Sequence, residues 1–190
     1  MQDFTQIIST LHLTSSRLCL RRFNQQDLAL QIEHETNPDI MRYIADIVDI
    51  NATTEKINNL IAPWSGKEGD WAGFAVTLKD ESDAMGMVCF RFDSFEFMRV
   101  EVGYRFHPQY QGKGYCLEAM RAFMSFLFYQ LNVRKASAYC VDANAASEHM
   151  MKKLGMQKEA VLRAHSTLGG IWYDELVYGV FKQEFEQSLL

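Results

Sequence analysis

The 190-residue chain is short of the features that mark membrane, exported or metal-held proteins. No run approaches the roughly twenty apolar residues of a spanning helix. The segment Met1 to Thr10 has no basic stretch followed by an apolar one, so no secretory leader is expected and a cytoplasmic location is. Its four cysteines, Cys19, Cys89, Cys116 and Cys140, form no Cys-x-x-Cys pair. Each lies inside an apolar element and reads as a buried thiol of a reducing compartment. His107, His149 and His165 lack metal-ligand spacing, and no metal is expected. Positive charge is scarce as well, since a net charge of -5 argues against a protein that binds nucleic acid by neutralising phosphates. Repeats and low-complexity tracts are absent. What remains is a single globular domain over residues 1–190 with its core at about 13–185.

The stretch His107-Pro108-Gln109-Tyr110-Gln111-Gly112-Lys113-Gly114-Tyr115 organises the rest. Before it, Val100 to Phe106 alternates in polarity and reads as a strand. After it, Cys116 to Leu131 carries Leu117, Met120, Met124 and Leu127 and reads as a largely buried helix. Gly112 and Gly114 open backbone angles closed to other residues and allow a ligand to approach the main chain. Free amides at a helix start, aligned with its dipole, then make an anion site. The spacing fits neither a P-loop, which needs four residues between glycines and a Lys-Ser/Thr pair, nor Gly-x-Gly-x-x-Gly.

The remaining elements follow from periodicity and breakers. Leu13 to Arg22 alternates, with Leu18 and Leu20 on one side and Arg17, Cys19 and Arg21 on the other, and predicts a first strand. Asn24 caps a helix reaching about Thr36, which Asn37-Pro38 ends. Helices are expected over Asp39 to Val48 and Thr53 to Ile61. Trp71 to Leu78 and Met85 to Phe92 form a hairpin around Lys79 to Asp83, and with Val100 to Phe106 make three antiparallel strands. Arg134 to Val141 is a further strand, so strand, helix, strand from Val100 to Val141 is a parallel crossover unit. Asn144 begins a helix carrying Met150, Met151 and Leu154 that Gly155 stops. Two extended runs between Gln157 and Phe185 flank the turn Leu168-Gly169-Gly170. The sum is an α/β domain with a mixed sheet. Phe92 to Met98 is rich in aromatics and reads as an exposed apolar patch suited to homodimer contact.

Gln109-x-x-Gly112-x-Gly114, after Glu-x-Gly-Tyr and before an apolar helix, closely resembles the acyl-CoA pyrophosphate loop of the GCN5-related N-acetyltransferases, the GNAT superfamily. Thr-x-x-Arg-Leu-x-Leu-Arg, Asn-Pro-x-Ile-Met-Arg-Tyr-Ile, Asn-Ala-Ala-Ser, Lys-Leu-Gly-Met and Trp-Tyr-Asp-Glu resemble its RimJ/RimL branch, over roughly residues 13 to 185. The resemblance implies a single-domain fold whose mixed central sheet splays between two parallel strands, with helices on both faces. It implies acetyl-CoA as co-substrate and acetyl transfer to a primary amine, such as the amino terminus of a ribosomal protein. Small amines, antibiotic or polyamine, are the alternative acceptors, and a non-catalytic acyl-CoA-binding module is the alternative from another class.

Carried over residue by residue, the resemblance puts the pyrophosphate on the amides of Gln111 to Tyr115 beside Lys113, and the pantetheine arm along Phe106 and His107. Asn144 corresponds to a cofactor-contacting asparagine, and also reads as a helix cap. Ser147 matches a serine near the sulfur, able to give a proton to the leaving thiolate, and also reads as a backbone-bonded serine of a first helical turn. The tyrosine that many relatives use as general acid is replaced here by Met151, which has no proton to give. Glu101 stands where relatives hold a carboxylate that deprotonates the amine, and also reads as a surface carboxylate on an alternating strand. Asp174 and Glu175 are rival bases. Glu33, Glu35, Asp46 and Asp49 suit a cationic acceptor or form an ordinary solvated face.

Overall fold

Strands β1 (His12–Thr14), β2 (Leu18–Arg22), β3 (Ala72–Leu78), β4 (Gly86–Ser94), β5 (Arg99–Phe106), β6 (Lys135–Val141), β7 (Gln157–Leu168) and β8 (Ile171–Phe181) form one mixed sheet in the order β1-β2-β3-β4-β5-β6-β8-β7. The structure, a computed structural model, describes residues 3–189. Helix α5 (Tyr115–Tyr129) carries the chain from β5 to β6, which pair in parallel, and every other neighbouring pair is antiparallel.

Alternation along β5 sends side chains to two different interiors. Val100, Val102 and Phe106 join the main core with Phe74, Phe90, Phe123 and Leu127 on the α5 side. On the opposite face Phe23, Ala75, Ala84 and Met87 make a smaller core under α2 (Leu28–Thr36) and α4 (Ile50–Ile61). Glu101, Gly103 and Arg105 belong to that second face. Helix α6 (Ala145–Lys153) follows β6, and Gly155 ends it in the left-handed region at φ 78°.

Several elements depart from the sequence expectation for identifiable reasons. Leu13 to Arg22 is a tight hairpin, because Ser15 turns the chain: its amide donates to the Leu18 carbonyl at 3.0 Å and its hydroxyl accepts from the Leu18 amide at 3.1 Å. The helix expected over Asp39 to Val48 shrinks to α3 (Pro38–Met41). Ile44, Ile47 and Val48 have no core to face and stay exposed. Helix α4 starts early, at Ile50, because the Asp49 carboxylate accepts from the amides of Asn51 and Ala52. A short α1 (Thr5–Ser9) was not foreseen, and with it Phe4, Ile8 and Leu11 extend the buried core ahead of residue 13. The last extended run ends at Phe181, where α7 (Lys182–Gln187) begins.

Phe92 to Met98 is not an exposed patch. Phe92 is fully buried, Phe95 stacks on it at 4.2 Å, Met98 packs on the core at φ 47°, and Phe97 is the large side chain left outside. All four cysteines are free thiols, but Cys140 is the buried one, and Cys19, Cys89 and Cys116 are half-buried. Among the described residues no helix is long and apolar enough to cross a membrane. The leader expectation falls partly on Met1 and Gln2, which lie outside the described residues.

Candidate active site

The parallel ladder joins only Arg99, Val100 and Glu101 to Lys135, Ala136 and Ser137. Beyond it β5 runs on to Phe106 and β6 to Val141 without pairing, so the two strands part and a cleft of about 1710 Å³ opens through the sheet. Backbone polarity follows from the antiparallel partner. The His107 amide donates to the Met85 carbonyl on the β4 side at 3.0 Å, so the backbone groups of Phe106 and Tyr104, one and three residues back, point the other way, into the gap. Such groups need partners. The Phe106 carbonyl has one already in the Gln111 side-chain amide at 2.9 Å, while the Phe106 amide remains for an extended ligand.

At the cleft's end the chain makes a 3-10 turn, Pro108–Tyr110, then Gly112 at φ 72° and Gly114 at φ 78° lead into α5. Among the described residues the amides of Gly112, Lys113 and Gly114 bond to no protein acceptor. They stand at the positive end of a fifteen-residue helix. A Cβ on Gly112 would meet nothing within 4 Å, so this glycine serves backbone angle and ligand approach, not packing.

No local pattern signals that this loop is braced from the turn ahead of β2. Arg17 donates from Nε to Glu118 at 2.7 Å and from Nη1 to the Lys113 carbonyl at 3.2 Å, and lies over the Tyr115 ring at 4.4 Å. Glu118, in the first turn of α5, also accepts from the Ser15 hydroxyl and the Arg17 amide, both at 2.7 Å.

The site residues named from the sequence divide in their placement. Phe106, Gln111, Gly112, Gly114, Tyr115, Asn144, Ser147 and Glu101 all line the cleft. His107, Gln109 and Lys113 stand at its rim: the His107 ring caps the Gln109 amide at 3.3 Å, and the Lys113 ammonium lies 5.9 Å from the Tyr110 ring. With its amide given to Met85, His107 has none to offer a pantetheine arm. Asn144 accepts from the Ser147 amide at 3.1 Å, so its helix-cap role is filled. Met151 is fully buried in the core.

Glu101 and Ser147 lie on opposite faces of the sheet. Burial raises the Glu101 carboxyl above its ordinary range, and Arg91, bonded at 2.6 and 2.9 Å, pulls it part of the way back. Trp71 lies over Gly103 and under Arg91, while Tyr139 on β6 and Glu175 on β8 also line this end. Asp174 is occupied: its carboxylate accepts from the Ala164 amide at 2.8 Å. On the α6 side the Ser147 hydroxyl is 3.0 Å from the Tyr104 hydroxyl, a partner not singled out in the sequence. Alternation along β5 turns Tyr104 away from Glu101, but only the packing of α6 on that face brings Ser147 to it.

Most of the carboxylates offered for a cationic acceptor are already used. Glu35 is buried between Arg105 and Lys56, the latter at 2.7 Å. Burial pushes its carboxyl up, but the two cations outweigh that and hold it below the usual range. Beside it His34, its ring tilted against that of His107 at 5.4 Å, is pushed down to about 4, first by burial and then by Arg105. Asp46 accepts from the Gly169 amide at 2.7 Å and Asp49 caps α4. Glu33 remains on the surface.

A strand pair that parts beside a helix-start anion loop, with a carboxylate on one face and hydroxyls on the other, is the architecture of an acyl-CoA-dependent N-acetyltransferase. The family model of the acetyltransferase (GNAT) domain matches residues 17–157, and the chain belongs to that family. It is 30% identical to the uncharacterized N-acetyltransferase YnaD of Bacillus subtilis over 92% of this chain and 99% of that one. A crystal structure of a GNAT-family acetyltransferase from Bacillus anthracis superposes with a TM-score of 0.79 at 26% identity, covering 91% and 99% of the two chains. The fold is also that of a Vibrio cholerae spermidine N-acetyltransferase in complex with CoA and spermine, with a TM-score of 0.78 at 20% identity over 90% and 99%.

Proposed function

We propose that the protein, a single domain acting in the cytoplasm, transfers the acetyl group of acetyl-CoA directly to a primary amine, the amino terminus of a protein being the acceptor to test first. The observation that carries the reading is the end of the β5–β6 ladder beside a run of unpaired amides. Pantetheine carries peptide-like amides and fits the gap as an added strand against Phe106, and the pyrophosphate fits the amides from Gln111 to Tyr115 with Lys113 and Asn144 nearby. Glu101, directly or through a water, takes a proton from the incoming ammonium, which has no lone pair until it is deprotonated. Its raised carboxyl suits that task. Ser147 gives a hydrogen bond to the departing sulfur. The branch resembled in the sequence, RimJ/RimL, favours a ribosomal protein.

One observation supports a small polycation instead. Asp93 on β4 and Glu175 on β8 both act on Glu101 with Arg91 as the cation among them, and Trp71 and Tyr139 line the same end. Incubation with acetyl-CoA and a panel of amino-terminal peptides and polyamines, read by thiol release and product mass, tests both. Release with a peptide alone supports the first reading, release with a polyamine alone the second, and no release with any primary amine removes the reading.

A further inference from the structure

The Tyr104 hydroxyl reaches out of β5, across the line where β5 and β6 part, to Ser147 on α6: it is 3.0 Å from Ser147 Oγ and 3.2 Å from the Ser147 carbonyl oxygen. Both residues line the cleft, and Cys116 and Cys140 line it on either side of them. A serine hydroxyl rotates freely unless its oxygen is held, and then its one proton goes wherever the remaining acceptor is. We propose that Tyr104 is a positioning residue for the acetyl transfer: its hydroxyl donates to Ser147 Oγ and so leaves the Ser147 proton directed at the sulfur of the thioester.

The direction of the bond follows from the contacts: the phenol's one proton has two Ser147 oxygens in reach, and Oγ at 3.0 Å is nearer than the carbonyl oxygen at 3.2 Å. Burial is the main influence on Tyr104 and raises its hydroxyl above the ordinary tyrosine value, so it keeps a proton to donate throughout the working range. Burial keeps the neighbouring thiols protonated, pushing Cys116 up to about 12 and, against a hydrogen bond from the Ser147 side chain, Cys140 up to about 11, so neither is a thiolate that would draw the Ser147 proton from the thioester sulfur. In the step itself the nitrogen forms its bond to the acetyl carbon, the carbon–sulfur bond breaks, and its electron pair stays on sulfur, facing the Ser147 hydroxyl. The second proton lost by nitrogen balances the thiolate. Tyr104 gives up no proton and acts only through Ser147. Glu101 on β5 faces the other side of the sheet, so deprotonation of the amine and reception of the sulfur occur on opposite faces of the gap.

The inference rests on the role proposed for Ser147, and a double-mutant cycle separates the two. Tyr104→Phe keeps the ring and its packing, and it is expected to lower kcat about tenfold to hundredfold, the worth of a hydrogen bond that serves a developing charge. KM for acetyl-CoA should stay within about twofold, and CoA should still raise the melting temperature. In a Ser147→Ala background the same change should have no further effect on kcat. Equal kcat for Tyr104→Phe and the parent overturns the proposal while leaving Ser147 intact. Independent, multiplying losses overturn it too, because Tyr104 would then act on the substrate itself. An unchanged Ser147→Ala enzyme removes the role of Ser147 and the proposal with it. A loss in Tyr104→Phe confined to KM, or a loss of CoA binding, marks a structural role and also overturns it.

Discussion

At the end of the cleft proposed for the phosphates one contiguous run, Gln111 to Tyr115, supplies backbone groups, while at the end proposed for the acceptor Trp71, Glu101, Tyr139 and Glu175 arrive from four separate places in the chain. The first end works through amides that any side chains would carry, provided two glycines hold the chain at positive φ. The second works through the identity and burial of single side chains. It therefore tolerates change poorly, and its chemistry cannot be read from a local pattern. The two ends should fail differently, which gives the comparison its tests.

The largest effect is expected at the acceptor end. Glu101→Gln preserves shape and should lower turnover by roughly 10² to 10⁴ while CoA binding persists. Because burial raises the Glu101 carboxyl, parental activity should fall as pH drops through that raised value, and the variant's deficit should shrink toward pH 9 as free amine accumulates. A flat ratio of turnover from pH 6 to 9 would reject this base and turn attention to Glu175.

Next comes the packing beneath that end. Glu35→Ala leaves Arg105 buried with Gln31 as its remaining side-chain partner, and should cost about 3–5 kcal/mol in urea unfolding. The folded Glu35 carboxyl lies below its ordinary 4.5, so its stabilisation is complete above that value and is lost as pH falls through the depressed one. Parent and variant should thus converge in stability under acid, and curves that stay parallel to pH 3 would contradict the pairing.

At the phosphate end the expected loss is one of binding. Gly114→Val forces a β-branched residue to φ 78° and narrows the approach, so the rise in melting temperature on adding CoA should vanish while the apo fold persists. An undiminished rise would mean the phosphates lie elsewhere. The smallest effect belongs to the brace: Arg17→Ala removes a half-exposed ion pair and should weaken CoA binding by about 0.2–1 kcal/mol, measurable by calorimetry and fading in high salt. A larger loss would show that Arg17 meets the phosphates itself.

Residue order alone determined the loop with its two glycines, the Asn24 and Asn144 caps, the Gly155 stop and the alternation of β2 to β6, because each depends on backbone angles and neighbours a few residues apart. The tertiary structure decided what depends on distant neighbours: that Ile44 to Val48 finds no face to cover, that Phe92 and Phe95 fold inward, and that Glu35 is held by Arg105 and Lys56 instead of facing an acceptor. It decided too that Tyr104 meets Ser147, because α6 is brought to the face of β5 to which alternation turns Tyr104. A side chain's neighbours across a sheet are set by strand pairing over long separations, and no periodicity within a single strand records them.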